Sequence, residues 1–299
     1  MKAAVKPKMK RYTVKDFRNQ FPTDDACLEY LKDLLYPEGI TCKKCEKITK
    51  HHKVASRRSY SCQICGHHVH PTAGTIYHKS TTPLTDWFYA VFLMASTRCG
   101  ISAKQLEREL GVTYKTAWRM FKQIRSMLDE SDADKLTGKV EVDETYIGGK
   151  HIGTNIRGRN TKTKAVVAGA VERDGGKVKT KVIPEVSAPT LLNFVCNSIE
   201  TQSTVFTDEW KSYNKVKDHG YTHHRIYHGK RVYVQGENHT NTIEGFWSIL
   251  KGGIKGVYRH TSRQHLQSYV NEYAFRYNRR NDETPMFLQF LGQVRKSVD

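Results

Sequence analysis

The apolar positions of this chain change rhythm along its length, and each rhythm predicts a different element. Leu28, Leu31, Leu34 and Leu35 form the stripe of a helix over 26–35, which Thr23-Asp24-Asp25 caps and Pro37 and Gly39 end. After Pro83 the run LTDWFYAVFLMAST is apolar on several faces, as a buried helix requires. A helix over AKQLEREL follows, capped by Ser102 and stopped at Gly111. Thr113 then caps YKTAWRMFKQIRSML, with Ala117, Phe121, Ile124 and Leu128 turned inward.

From Lys139 the period shifts towards two. The segments 139–147, 165–172 and 178–183 read as strands, and Arg173-Asp174-Gly175-Gly176 makes a hairpin join between the last two. A helix over 187–200, strands over 204–208 and 221–227, and helices over about 241–251 and 263–277 complete the pattern. Three hairpin-joined strands followed by alternating helices and strands is the ribonuclease-H-like order. The expected architecture is multidomain α/β: helix and zinc ribbon over 1–80, a helix-turn-helix-like segment over 81–135, and a ribonuclease-H-like catalytic domain over 136–299. The acidic DESDAD run at 129–134 marks a linker.

Composition adds a partner to this picture. Among 299 residues, 49 Lys and Arg outnumber 30 Asp and Glu, a formal net charge of +19 spread along the whole chain. Such a surplus attracts a polyanion, because Lys and Arg neutralise phosphates and release condensed counterions. Four Trp, eleven Phe and sixteen Tyr exclude a wholly disordered chain. The longest apolar stretch, Trp87 to Ala95, is half of the ~18 residues that a membrane span requires. The basic N-terminal stretch lacks the apolar segment of a secretory signal, so a cytoplasmic, nucleoid-associated protein is expected.

Two pairs of cysteines bring in metal chemistry. Cys42-x-x-Cys45 and Cys62-x-x-Cys65 are separated by sixteen residues. Each two-residue gap forms a knuckle that aims two thiolates at one ion, and two knuckles complete a closed tetrahedral shell for structural Zn²⁺. The nearby histidines, His51, His52, His67, His68 and His70, find no vacancy in that shell.

Helix, Gly-containing turn and basic helix over 102–128 is the pattern of a helix-turn-helix, with Lys115, Thr116 and Arg119 as its candidate DNA contacts. A structural three-helix bundle has the same pattern.

Three acids stand out by position. Asp143 interrupts an apolar strand, Asp208 ends another 65 positions later, and Glu244 lies early in a helix 36 positions beyond that. Carboxylates gathered at one sheet edge raise one another's pKa, and divalent cations remove that penalty while promoting in-line attack on a phosphodiester. Alternation puts Glu141 on the face of Asp143, where it can support the site. Asn238, Asn241 and Glu244 recur at steps that turn about 60° around a helix, so Asn241 is an alternative or assisting third ligand.

The segments VEVDETYIGGK, VFTDEWKSYN and HTNTIEGFWSILKGGIKGVYRH resemble the acidic motifs of a bacterial insertion-sequence transposase family, the ISXO2-like group with the eukaryotic Merlin elements as relatives. The ribbon segment YSCQICGHHVHPTAGTIYHKSTTPLTDWF resembles that family too, and the likeness runs from about Phe17 to Arg280. It implies a DDE-type transposase in which Asp143, Asp208 and Glu244 hold two Mg²⁺ or Mn²⁺ ions. The implied reaction hydrolyses the element's end and joins the freed 3′-hydroxyl to target DNA. The ribbon and helix-turn-helix then recognise terminal inverted repeats. Arg157, Arg159, Lys162, Lys164, Lys251, Lys255 and Arg259 are candidate backbone contacts, and paired cutting calls for at least a homodimer on DNA. A DNA-binding regulator without activity and a structure-specific nuclease are the alternatives.

Overall fold

The computed structural model describes residues 11–97, 99–148, 164–173, 175–226 and 240–295. The described residues divide into two compact units: those within 128–281 form one, and those within 11–127 and 282–295 form the other.

The second of these units begins with α1 (Val14–Gln20), closed by a reciprocal box. Thr13 Oγ1 accepts from Asp16 N, and Asp16 Oδ2 accepts from Thr13 N at 2.8 Å. Next comes α2 (Asp24–Leu35), whose Thr23 cap accepts from Ala26 N. The ribbon follows as β1 (Thr41–Cys42) paired antiparallel with β2 (Lys47–Ile48), then β3 (His51–Lys53), β4 (Tyr60–Cys62) and β5 (His68–Val69) in an antiparallel sheet.

The helices α3 (Leu84–Ser96), α4 (Ala103–Leu110) and α5 (Tyr114–Ser126) come next. Gly111 adopts φ +64° between the last two, a left-handed cap that suits glycine. Ala117, Phe121 and Ile124 are buried, as their spacing predicts.

The expected boundaries differ from this division in two ways. First, the ribbon and helical segment share one core, because Asp24 ties them together. Its Oδ1 accepts from Thr85 N and Thr85 Oγ1, and its Oδ2 accepts from Arg58, which also donates to Ser80 O and Thr82 O. Second, the last helix, α9 (Met286–Leu291), belongs with this unit rather than with the catalytic sheet. Its Phe287 fills an aromatic cluster with Phe17, Phe21 and Phe92.

The unit spanning 128–281 is built on β6 (Lys139–Ile147), β7 (Ala165–Glu172), β8 (Val178–Ile183), β9 (Thr204–Asp208) and β10 (Thr222–Ile226). Their order across the sheet is β10-β9-β6-β7-β8. The β6–β7 and β7–β8 pairs are antiparallel, while β9 runs parallel to β6 and β10 parallel to β9. This is the ribonuclease-H-like mixed sheet that the element order predicts.

The helix α6 (Ala188–Ser198) covers one face, where Val140, Val142, Val166 and Ala168 pack with Leu191 and Val195. The helices α7 (Asn241–Gly253) and α8 (Leu266–Asn278) cover the other, where Val167 and Val171 meet Ile243, Phe246, Trp247 and Val270. The strand period of two therefore commits Val140 and Val142 to the α6 face, and Glu141 and Asp143 to the α7 face.

The outer edge of β8 is covered by amide side chains from α8. Asn278 accepts from Val178 N and donates to Val178 O, and Gln267 accepts from Val182 N, so that edge offers little to a foreign strand.

Asp24→Ala leaves the Thr85 amide and the Arg58 guanidinium without their carboxylate. The variant is expected to lose about 2 kcal/mol of stability, measured by chemical denaturation followed through Trp87 fluorescence.

Candidate active site and zinc centre

The four ribbon cysteines converge. Their sulfur atoms all lie within 4.8 Å of one another, with Cys42 and Cys65 at 3.5 Å and Cys45 and Cys62 at 3.9 Å. A tetrahedral Zn–S bond of about 2.3 Å gives sulfur–sulfur edges of about 3.8 Å, so the set fits zinc and is far too open for a disulfide. The Thr49 hydroxyl lies 3.1 Å from Cys62 Sγ and brings that thiol down to about 5, whereas the neighbouring Cys65 thiol drives Cys45 up to about 12. Among the described residues no histidine joins the group.

The carboxylates meet on the sheet by a different route. The parallel ladder between β6 and β9 ends at the pair Glu141–Phe206. Asp143 and Asp208 each lie two residues beyond that pair, on the face turned to α7, where the two strands part. Helix α7 lies over the same face and carries Glu244 in its first turn, exposed.

The charges feel one another. Asp143 is pushed up to about 6, first by burial and further by the charges of Asp208 and Glu244. Hydrogen bonds from Trp247 and the Glu144 backbone oppose the rise. Each carboxylate also has a donor of its own. Trp247 Nε1 donates to Asp143 Oδ2 at 2.9 Å, Trp210 N to Asp208 Oδ1 at 3.0 Å, and Thr240 Oγ1 to Glu244 Oε1 at 3.3 Å.

Among the described residues only the four cysteines form a group within 4.8 Å, so the three acids are spaced more widely than one ion's shell. The donors are hard oxygens, which suit Mg²⁺ or Mn²⁺.

A glycine makes room for this arrangement. Gly169 sits opposite Asp143 in the β6–β7 register, and a Cβ there would come within 2.5 Å of the Trp247 ring. The indole therefore lies over the bare strand and reaches Asp143. Gly169 in an apolar strand and Trp247 one turn after Glu244 are roles that the sequence reading missed. The available signal was the glycine itself, since one inside a strand often marks a close approach.

Glu141 is fully buried and holds the start of α7. Its Oε2 accepts from Thr242 N at 2.9 Å and Ile243 N at 3.0 Å, and its Oε1 from Thr242 Oγ1 at 3.0 Å and Arg173 Nε at 2.8 Å. The other acidic neighbour in the strand, Glu144, points to the opposite face and accepts from the buried Tyr213 hydroxyl.

The candidate DNA contacts fall out unevenly. Lys115 is exposed and Thr116 partly so, on the first turn of α5. Arg119 instead turns inward, donating to Ser80 Oγ at 3.3 Å and lying over the Trp87 ring. Lys251 is exposed at i+7 from Glu244 and so continues its face of α7, and Lys255 is exposed in the π-helical turn (Ile254–Tyr258) that follows; Asn241 and Arg259 are also exposed, and Lys164 is partly so. Arg157, Arg159, Lys162 and Asn238 lie outside the described residues. A cavity of about 300 Å³ beside Lys179, Phe194, Gln267 and Asn278 contains none of the three acids.

With this geometry in view, the relatives are informative. Residues 135–278 match the ISXO2-like transposase domain, and residues 22–68 match the transposase zinc-ribbon domain. The chain thus carries an ISXO2-like transposase domain and a transposase zinc ribbon.

It is 26% identical to an uncharacterized protein in transposable element ISH50 of Halobacterium salinarum, over 86% of this chain and 91% of that one. It is 29% identical to an uncharacterized transposase-like protein of Haemophilus influenzae, over 40% of this chain and 94% of the relative. The catalytic core domain of BIV integrase is a more remote likeness, 15% identical with a TM-score of 0.32, covering 46% of this chain and 82% of that one. Among the described residues no helix is long and apolar enough to cross a membrane.

Two outcomes are expected from these sites. Cys62→Ser should abolish the binding of about one zinc per chain, read by elemental analysis, and unfold the ribbon. Asp143 binds its proton more tightly in the folded state than at the ordinary 3.8, so the stability it confers is complete at low pH and is lost as pH rises through about 6. Asp143→Asn should therefore melt a few degrees higher than wild type at pH 8 without added divalent ions, by roughly 2–4 °C per kcal/mol relieved. It should also lack the stabilisation that Mn²⁺ gives wild type.

Proposed function

We propose that this transposase binds the terminal inverted repeats of its element, cleaves the DNA ends and joins them to a target duplex. Asp143, Asp208 and Glu244 carry the reaction. The observation that supports this reading best is the level placement of Asp143 and Asp208 where β6 and β9 part, with Glu244 on the helix above.

Divalent ions held by Asp143, Asp208 and Glu244 would supply charge to activate the attacking oxygen and stabilise the leaving one. The protein's part is to hold its acids ionised and aimed. Trp247 donates to Asp143 and opposes the upward pull of burial, so that carboxylate is available to a cation above about pH 6. Trp210 N orients Asp208, and the Thr240 hydroxyl orients Glu244. Asn241, one turn before Glu244, is the assisting or alternative third ligand.

Lys251 extends the face of Glu244, and with the exposed Lys255 just beyond α7 it suits the phosphate backbone leading away from the cut. Arg157 and Arg159, in the basic stretch of sequence between β6 and β7, are further backbone contacts in this reading. Lys115 and Thr116 on α5, together with the ribbon, read the element end. Arg119 serves instead to pack α5 against Trp87 and Ser80. Two ends cut in concert imply a homodimer assembled on DNA, acting where the element's DNA lies, in the cytoplasm at the nucleoid.

Asp143→Asn and Asp208→Asn are each expected to lower Mg²⁺- or Mn²⁺-dependent cleavage and joining of element-end DNA by on the order of a thousandfold. Activity that persists unchanged in both points to a regulator with dispensable acids. Wild-type cleavage without joined products on a sequencing gel points to a nuclease.

A further inference from the structure

We infer that Glu141 is a positioning residue: from strand β6 it caps helix α7, fixes the spacing of Asp143 and Glu244, and frees the Thr240 hydroxyl to orient Glu244. The inference rests on the reading that those two acids hold the catalytic ions.

A helix leaves its first amides without partners inside the helix, and the residue before it normally supplies the capping oxygen. In α7 that residue is Thr240, and its side chain makes no capping bond. Glu141 supplies the oxygen from a strand 101 residues away, at Thr242 N, while Ile243 N binds the same atom. The Thr240 hydroxyl is thereby released and donates to Glu244 Oε1.

The carboxylate of Glu141 receives four donors on two oxygens, about its whole accepting capacity. It is thus coordinatively filled and unsuited to ligate an ion, although it shares a face with Asp143. Its charge sits at the positive end of the α7 dipole and against Arg173.

The Arg173 side chain lies over the Phe206 ring at 3.7 Å, two residues before Asp208. One ion pair therefore touches the strand of each aspartate and the helix of the glutamate. An apolar substitute could fill the same volume, yet would leave the register of α7 along β6 unspecified.

The test uses the full, zinc-loaded chain. Glutamine at 141 keeps the size but has a single acceptor oxygen, so it cannot serve both α7 amides and Arg173. Glu141→Gln is expected to weaken Mn²⁺ binding about tenfold or more, read from the free-Mn²⁺ signal by electron paramagnetic resonance. The Mn²⁺ concentration for half-maximal strand joining should rise by the same factor, with much of the rate recovered at saturating Mn²⁺. Glu141→Asp should shift both less.

A folded Glu141→Gln with wild-type circular dichroism, zinc content and Mn²⁺ binding overturns the inference. Should that variant not fold, Thr240→Val removes only the hydroxyl on Glu244. It is expected to weaken Mn²⁺ binding severalfold, and unchanged binding overturns the inference equally. Asp143→Asn runs alongside. If it binds Mn²⁺ and joins DNA like wild type, the carboxylate reading itself fails; if it loses Mn²⁺ while Glu141→Gln keeps it, only the positioning role fails.

Discussion

The carboxylate of Glu141, buried between β6 and the start of α7, is the joint on which the geometry of the face bearing Asp143 depends. A charge removed from water is costly unless donors replace the water it leaves, and here two backbone amides, a hydroxyl and a guanidinium do so. Those donors come from β7's end and from α7, so satisfying one carboxylate aligns three elements. Arg173, drawn in as the counter-charge, rests on Phe206 of β9 and adds a fourth. Both aspartates and the glutamate are carried on parts that this joint unites.

Asp143 is balanced between two demands. Burial and the nearby negative charges favour its protonated form, whereas the Trp247 N–H favours the ionised one. The indole reaches it only because β7 has no side chain at Gly169. The ribbon solves a similar problem with softer atoms: four sulfurs crowd within 4.8 Å, and the Thr49 hydroxyl biases Cys62 towards the thiolate a metal binds. In both places the fold gathers acidic groups whose mutual repulsion a cation relieves.

Much of the scaffold was legible because its signals are local. The strands over 139–147, 165–172 and 178–183 are short Val-rich runs, as a sheet covered on both faces requires, and the two cysteine pairs state their own geometry. The short helices α1 and α9 escaped notice. Each has too few turns to display a stripe, and the partners of Phe17 and Phe287 are one another, some 270 positions apart. The contacts of Arg119 were hidden from the sequence for a related reason. Its helix exposes basic residues on one side, but the bundle closes over this one through Trp87.

The sequence by itself determined which residues were equipped for the chemistry: acids interrupting apolar strands, a four-thiolate knuckle pair, and a surplus of cations suited to phosphates. It also determined the order of strands and helices, since hydrophobic period is a property of neighbours along the chain. Only the tertiary structure decided that Asp143 and Asp208 stand level where the β6–β9 ladder ends, that Trp247 lies over Gly169, and that Glu141 caps a helix. Each of these depends on register between segments distant in the chain. That register is set when buried charges and amides find partners in a desolvated interior, a condition that no short stretch of sequence contains.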